Sequence, residues 1–378
     1  MTRLLLAALL LVGIAAGAAT AAVAGAAPGD PKVVPGKWNK RDIPAGWVVT
    51  ETEHYHVQCQ AGKEKAELLA KHLESMWEVY ADFLPTRRKS DTFVLKLFKD
   101  RAAFMAYSPD AKGALAYYNQ SNMELVGYDT GVILGKRDIP AMLSLADDVA
   151  ARFTAAEQAR LAQLFETITD AYTPDTARIL GHEGWHQYFH MYTVSIVPMP
   201  SWLDEGIGDY FFMATRDESS GKGHAYRLGD INENRVRALQ RAMLDGTTVD
   251  FKTLLGFAQD DYYKNPSVYY AQGWSMVQFL MHNEKPEYHE LIPKLIKDFK
   301  DSKNFVKSTD KIFKGLDLTK LDHDWIAWVT SLKVDEPLRD LALEFGSRLK
   351  PEELKTSEEK LPLIYKWHID HPGDLFGN

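Results

Sequence analysis

A single cysteine, Cys59, stands in 378 residues. No disulfide can close within the chain, which excludes the cystine-stapled scaffolds of small secreted proteins. Positive charge is not in excess either: 52 Asp and Glu against 44 Lys and Arg give a formal net charge of −8 and a pI of about 5.9. That argues against nucleic acid as a partner, which needs a strongly basic surface. Past Gly29 no apolar run is long enough to span a membrane, and no fixed period marks a repeat array. What is present is a globular composition, 46% hydrophobic and 25% charged, with nine tryptophans from Trp38 to Trp367. It is ample for buried cores and two or three packed units.

The first 29 residues stand apart. Arg3 gives a minimal positive start, Leu4 to about Ala16 an apolar core, and Ala22, Ala24, Ala26 and Ala27 offer A-x-A cleavage sites. These are the three parts of a secretory signal peptide, so residues 1–27 are expected to be removed and the product exported to a periplasm or beyond the cell. Losing Arg3 takes the net charge from −8 to −9. An uncleaved anchor is the alternative, because no charge falls between Leu4 and Gly29; membrane contact is expected only in that case.

The remainder reads as an α+β chain. Alternation predicts strands over Tyr55 to Gln60 and Thr92 to Phe98, with a helix over Lys63 to Phe83 between them. A short helix near Ala102 to Tyr107 and two short strands within Glu124 to Leu134 complete a small N-terminal α/β subdomain, residues 44–135. Helical spacing dominates residues 150–335. Thr154 and Glu157 form a capping-box pattern, Thr173 and Pro174 predict the start of a helix running to about Tyr192, and Ser201 with Asp204 predicts one over Trp202 to Met213. Gly206 and Gly208 each lower helix propensity there, so their presence implies close packing against a neighbour. Further helices are expected at Glu233 to Leu244, Ser267 to Met281, Tyr288 to Phe299 and Leu321 to Leu332, and residues 336–378 form a C-terminal extension.

The chemistry gathers in GHEGWHQYFH, Gly181 to His190. His182 and His186 stand four apart on a helix, so both imidazoles share one face and can grip one Zn²⁺; Glu183 beside them can act as base for a bound water. Glu205 follows His186 after 18 residues. A turn back between two helices would make it the third ligand, leaving one position open. Asp209, one helical turn beyond Glu205, can fix the tautomer of a ligating histidine. His190 is poorly placed as a ligand, being a full turn further along. His54 and His56 would share a strand face, with no carboxylate cluster nearby to make a second site.

In these segments the sequence resembles the gluzincin superfamily of zinc metallopeptidases, the peptidase MA-like fold marked by H-E-x-x-H followed by a glutamate-bearing helix. It is similar in more detail to an uncharacterised family of exported bacterial proteins of that fold. The shared elements are His182 to Gln187, Pro200 to Phe211, and Tyr270 to Leu280. The resemblance implies a small α/β subdomain followed by a mainly helical zincin-like catalytic domain. It also implies a tyrosine that donates to the oxyanion, a role Tyr270 would fill; an aromatic core contact is the other role open to Tyr270 or Tyr269.

The aminopeptidases of that superfamily capture the substrate amine with a G-x-M-E-N glutamate. Here SNMELVG puts Glu124 58 positions before His182 and lacks both the leading glycine and the final asparagine. The metzincin pattern fails, since its glycine and third histidine would fall at Phe189 and Tyr192. The expectation is therefore a zinc-dependent endopeptidase acting on peptide or protein substrates, with His182, His186 and Glu205 on the metal and Glu183 and Tyr270 as catalytic groups. The alternative is an envelope binding or scaffold protein that keeps the fold but turns over little.

Overall fold

The computed structural model describes residues 33–86, 92–111, 113–137, 143–193, 199–217, 226–350 and 353–356. The expected signal segment and residues 357–378 of the C-terminal extension lie outside them. The architecture is α+β, and the chain divides into two compact units. The larger holds the described residues from 33 to 129 and from 177 to 332; the smaller holds those from 130 to 176 and from 333 to 356.

In the smaller unit the helix Ala155–Tyr172 begins with a complete capping box, Thr154 and Glu157 each bonding the other's backbone N–H. Its Leu161, Leu164, Phe165 and Ile168 pack against Leu341, Phe345 and Leu349 from the segment around helix Pro337–Phe345. Thr173 ends this helix, its N–H bonded to the Thr169 carbonyl. It does not start the next one, which begins at Thr176.

The larger unit begins with a mixed five-stranded sheet in the order β1-β2-β3-β5-β4. The strands are β1 (Val48–Glu51), β2 (Tyr55–Cys59), β3 (Phe93–Phe98), β4 (Ala116–Asn119) and β5 (Glu124–Tyr128). Helix α1 (Lys63–Phe83) makes the crossover that lets β2 and β3 run parallel. Every residue of both strands is buried, as befits strands covered on both faces. Strand β4, which alternation did not predict, pairs antiparallel with β5 and forms one edge.

On one face of the sheet Phe98 and Val126 join Trp38, Trp47 and Phe104, the last from helix α2 (Arg101–Tyr107). Lys96 and Glu124 sit on that same face, two residues from Phe98 and Val126, and both are fully buried. Their charges meet at 2.9 Å. Lys96 also donates to Gln58 and lies 4.4 Å from the centre of the Trp38 ring, while Glu124 accepts from Gly36 N–H, Tyr107 Oη and Asn122 Nδ2. The opposite face meets the helices: a β-carbon on Gly127 would lie 3.6 Å from Leu180.

Four helices follow that matter for the site: α3 (Thr176–Tyr188), α4 (Ser201–Phe212), α5 (Glu233–Leu244) and α6 (Pro266–His282). Their bounds fall within four residues of the sequence expectations. Helix α3 continues as a π-helical turn, Phe189–Thr193. Among the described residues no helix is long and apolar enough to cross a membrane.

A buried ion pair that loses one partner leaves a charge stranded in low dielectric. The substitution E124Q should therefore cost about 3–5 kcal/mol in urea unfolding. The double variant K96M/E124M should be no less stable than E124Q, because no charge is left behind. An E124Q chain as stable as the wild type would refute this account of the pair.

Candidate metal centre

Helices α3 and α4 can approach because glycines face the contacts. Tyr80 of α1 donates its hydroxyl to the Gly181 carbonyl, and a β-carbon on Gly184 would stand 2.9 Å from that hydroxyl. On α4, a β-carbon on Gly206 would meet the Gly273 carbonyl of α6 at 2.7 Å, and one on Gly208 would meet the His182 ring at 2.8 Å. The packing inferred from these glycines is thus real, although the expected Ser201 cap is not. Ser201 is the first helical residue, and the Pro200 carbonyl accepts from Leu203 and Asp204.

This packing brings His182, His186 and Glu205 together as a buried group able to hold a metal ion. The two Nε2 atoms lie 3.1 Å apart, and Glu205 Oε2 lies 3.2 Å from the first and 3.6 Å from the second. A tetrahedral ion with bonds of ~2.0–2.1 Å needs donors about 3.3–3.4 Å apart, so the three atoms already span one face of such a site. The far nitrogens are held as well. His182 Nδ1 bonds Asp209 Oδ1 at 3.1 Å and His186 Nδ1 bonds Asp204 Oδ1 at 2.9 Å. Each carboxylate fixes the tautomer that presents Nε2 to a metal. Asp209 is legible from its spacing; Asp204 reads in the sequence only as a helix-start residue, not as a partner of His186.

Glu183 is 1% exposed. Its Oε2 accepts the Tyr118 backbone N–H at 3.1 Å, from the sheet edge β4, whereas Oε1 has no hydrogen-bond partner among the described residues. The Tyr118 hydroxyl meets His190 Nδ1 at 2.8 Å, so His190 stands beside the group and not within it. The Tyr263 hydroxyl donates to Glu205 Oε1 at 2.8 Å and is itself bonded to Tyr270. Tyr270 sits one place further back, 1% exposed, its ring 5.3 Å from the Arg235 guanidinium carbon. Tyr269 packs edge-on against Phe257.

Two other sequence candidates separate from the site. Glu124 has its carboxylate ringed by four partners on the sheet face away from α3, which leaves nothing for amine capture. His54 precedes β2 instead of sharing its face with His56, and carboxylates do lie near: Glu74 beside His54 and Glu51 beside His56. Glu53, His54 and Glu74 form a second group of donor-bearing side chains. It lies nearer the surface, with the His54 ring stacked 3.6 Å from Trp77.

The charges are strongly coupled. Burial opposes protonation of both imidazoles, yet Asp209 and Glu205 outweigh it and raise His182 to about 9. Asp204 and Glu205 hold His186 well above the ordinary histidine value, again against burial. Burial would raise Glu205, but the two histidines bring it down to about 2. Burial wins at Glu183, raising it to about 7 against the pull of the same histidines.

Fold and site together define a mixed α+β protein with a buried two-histidine, one-glutamate group that can hold a metal ion. Residues 176–299 match a family model described as "Protein of unknown function (DUF1570)". The matched stretch runs from the first residue of α3 past the end of α6. No curated protein matches the chain.

Ligation requires neutral imidazoles. Metal uptake near neutral pH should therefore expel protons, and apparent affinity should rise with pH through neutrality, because the carboxylates hold both His182 and His186 above the ordinary histidine value. Titration calorimetry in buffers of different ionisation heat counts the protons; uptake releasing none would contradict this charge arrangement. The close fit at Gly208 gives a second expectation. In G208A the new methyl must displace the His182 ring, and metal affinity measured by chelator competition should fall ~10–100-fold, the range seen when ligand orientation is disturbed.

Proposed function

We propose that this chain is an exported zinc-dependent peptidase of gluzincin type, cutting within peptide chains. His182, His186 and Glu205 would hold the ion, and the nitrogen-and-carboxylate donor set with near-tetrahedral spacing suits zinc. When bound, zinc supplies Lewis-acid polarisation of a substrate carbonyl and makes water a better nucleophile at neutral pH. The observation that carries the reading is Glu183: a carboxylate inside the site, not needed as a ligand, with a buried oxygen that has no hydrogen-bond partner among the described residues. A purely structural metal site needs ligands but no such base.

The work of the chain's own groups follows from where they stand. The Tyr118 N–H fixes one Glu183 oxygen and leaves the other to accept a proton from the attacking water, which Glu183 then delivers to the departing amine. Burial that raises its pKa toward neutrality suits a group that must take and return a proton in one cycle. Asp204 and Asp209 hold the imidazoles in ligating orientation. The Tyr263 hydroxyl, backed by Tyr270, keeps one Glu205 oxygen occupied and the other turned to the histidines; these two tyrosines would supply the donor to a developing oxyanion. The endopeptidase reading draws support from Glu124, whose carboxylate is already engaged and so offers no anchor for a free substrate amine.

The deciding experiment compares two substitutions in zinc-loaded chain digesting a peptide library. E183Q keeps shape and removes basicity, so it should fold, retain zinc and lose at least ~10²-fold in rate. E205Q should lose metal and activity together. Wild type that holds zinc and cleaves nothing would overturn the peptidase reading in favour of a binding or scaffold role, and E183Q cleaving at near the wild-type rate would overturn the mechanism.

A further inference from the structure

Arg235 lies on α5, outside the two helices that carry the sequence motif. It is 4% exposed, and its Nε donates to Asp209 Oδ2 at 2.6 Å. Its backbone N–H is held in turn by the Asn232 side chain, which caps α5. Asp209 spends its other oxygen on His182 Nδ1. The flat side of Tyr270 faces the same guanidinium at 5.3 Å; Tyr270 is bonded to Tyr263, and Tyr263 to Glu205. From one side chain, then, two routes lead to two of the three donor atoms, and the 3.2 Å contact between Glu205 and His182 closes them into a ring.

We propose that Arg235 is the positioning residue of the metal centre, fixing His182 through Asp209 and Glu205 through Tyr270 and Tyr263. The physical need is plain. A carboxylate 3% exposed beside two others is repelled by its neighbours, and without a fixed cation it would turn toward whichever proton or charge is closest. The guanidinium is suited to that task because it is planar, permanently charged and able to present an N–H to Asp209 while its face lies along an aromatic ring. Lysine offers the charge without the plane.

The proposal rests on the metal-site reading, and the two can fail separately. Metal affinity is measured by chelator competition in the full chain, together with the visible spectrum of the cobalt-loaded protein, which reports ligand geometry independently of turnover. R235M should weaken binding ~10–100-fold, as loss of a group that orients a ligand does, and should shift the cobalt bands. R235K should recover part of the affinity through Asp209 but leave the bands shifted. Because the first route runs through Asp209, R235M and D209N should not add: the double variant should bind less than two-fold more weakly than R235M. If R235M does not fold, R235K carries the test through its spectrum. Affinity and spectrum unchanged in R235K and R235M, or fully additive losses with D209N, would overturn the role of Arg235. A wild-type chain that takes up neither zinc nor cobalt would instead overturn the metal site itself.

Discussion

A methyl on Gly206 would stand 2.7 Å from the Gly273 carbonyl, and one on Gly208 2.8 Å from the His182 imidazole. Helix α4 therefore lies backbone to backbone against α6 and directly against the His182 ring of α3, and the rest of the site depends on that approach. Three carboxylates leave α4 at positions 204, 205 and 209, and all three reach the histidines of α3: Glu205 at the Nε2 edge, Asp204 and Asp209 at the two Nδ1 edges. Were α4 further out by the width of a methyl, the carboxylates would bond water instead of imidazole. The propensity lost at each glycine, ~1 kcal/mol relative to alanine, is small beside the contacts that this spacing allows.

Such a concentration of acid groups in a buried place has to be neutralised. Glu183, Asp204, Glu205 and Asp209 cluster about two imidazoles and one guanidinium, and buried charges without partners are costly. The carboxylates favour the protonated form of both imidazoles, against the effect of burial. Arg235 has a separate purpose: its charge is permanent, so Asp209 keeps this partner whatever the protonation of His182.

The parts of the site that could be read from the sequence are those set by distance along one helix. His182, Glu183 and His186 follow from a turn of α3, and Asp209 from a turn of α4. Glu205 needed one further step, the return of a helix. Gly206 and Gly208 were legible because glycine inside a helix has a cost that something must offset. Arg235 and Tyr263 carry no such signal: they reach the site from α5 and from the loop before α6, and only the packing of four helices brings them near. Asp204 lies beside Glu205 but at a spacing that sequence reasoning does not test. Strand β4 was missed because Ala116, Tyr117, Tyr118 and Asn119 do not alternate in polarity; backbone pairing with β5 makes it a strand. At Thr173 two local rules competed. A threonine before a proline favours a helix start, but the preceding helix runs far enough for its last turn to claim the Thr173 N–H.

Strand β4 also shows why a boundary drawn between an α/β segment and a helical one does not divide the chemistry. The Tyr118 N–H that fixes Glu183 belongs to the edge of the sheet, and the ligands belong to the helices, yet both lie in one compact unit. An edge strand keeps half of its backbone groups unpaired by the sheet; here one of them is spent on the carboxylate proposed as the base. Glu183 is thereby oriented by a group that cannot rotate away, because its direction is set by the pairing of Tyr118 with Leu125 across β4 and β5. A side-chain donor in the same place could swing aside or change its protonation with its surroundings. A backbone N–H can do neither, and it leaves the second oxygen of Glu183 without a hydrogen-bond partner among the described residues.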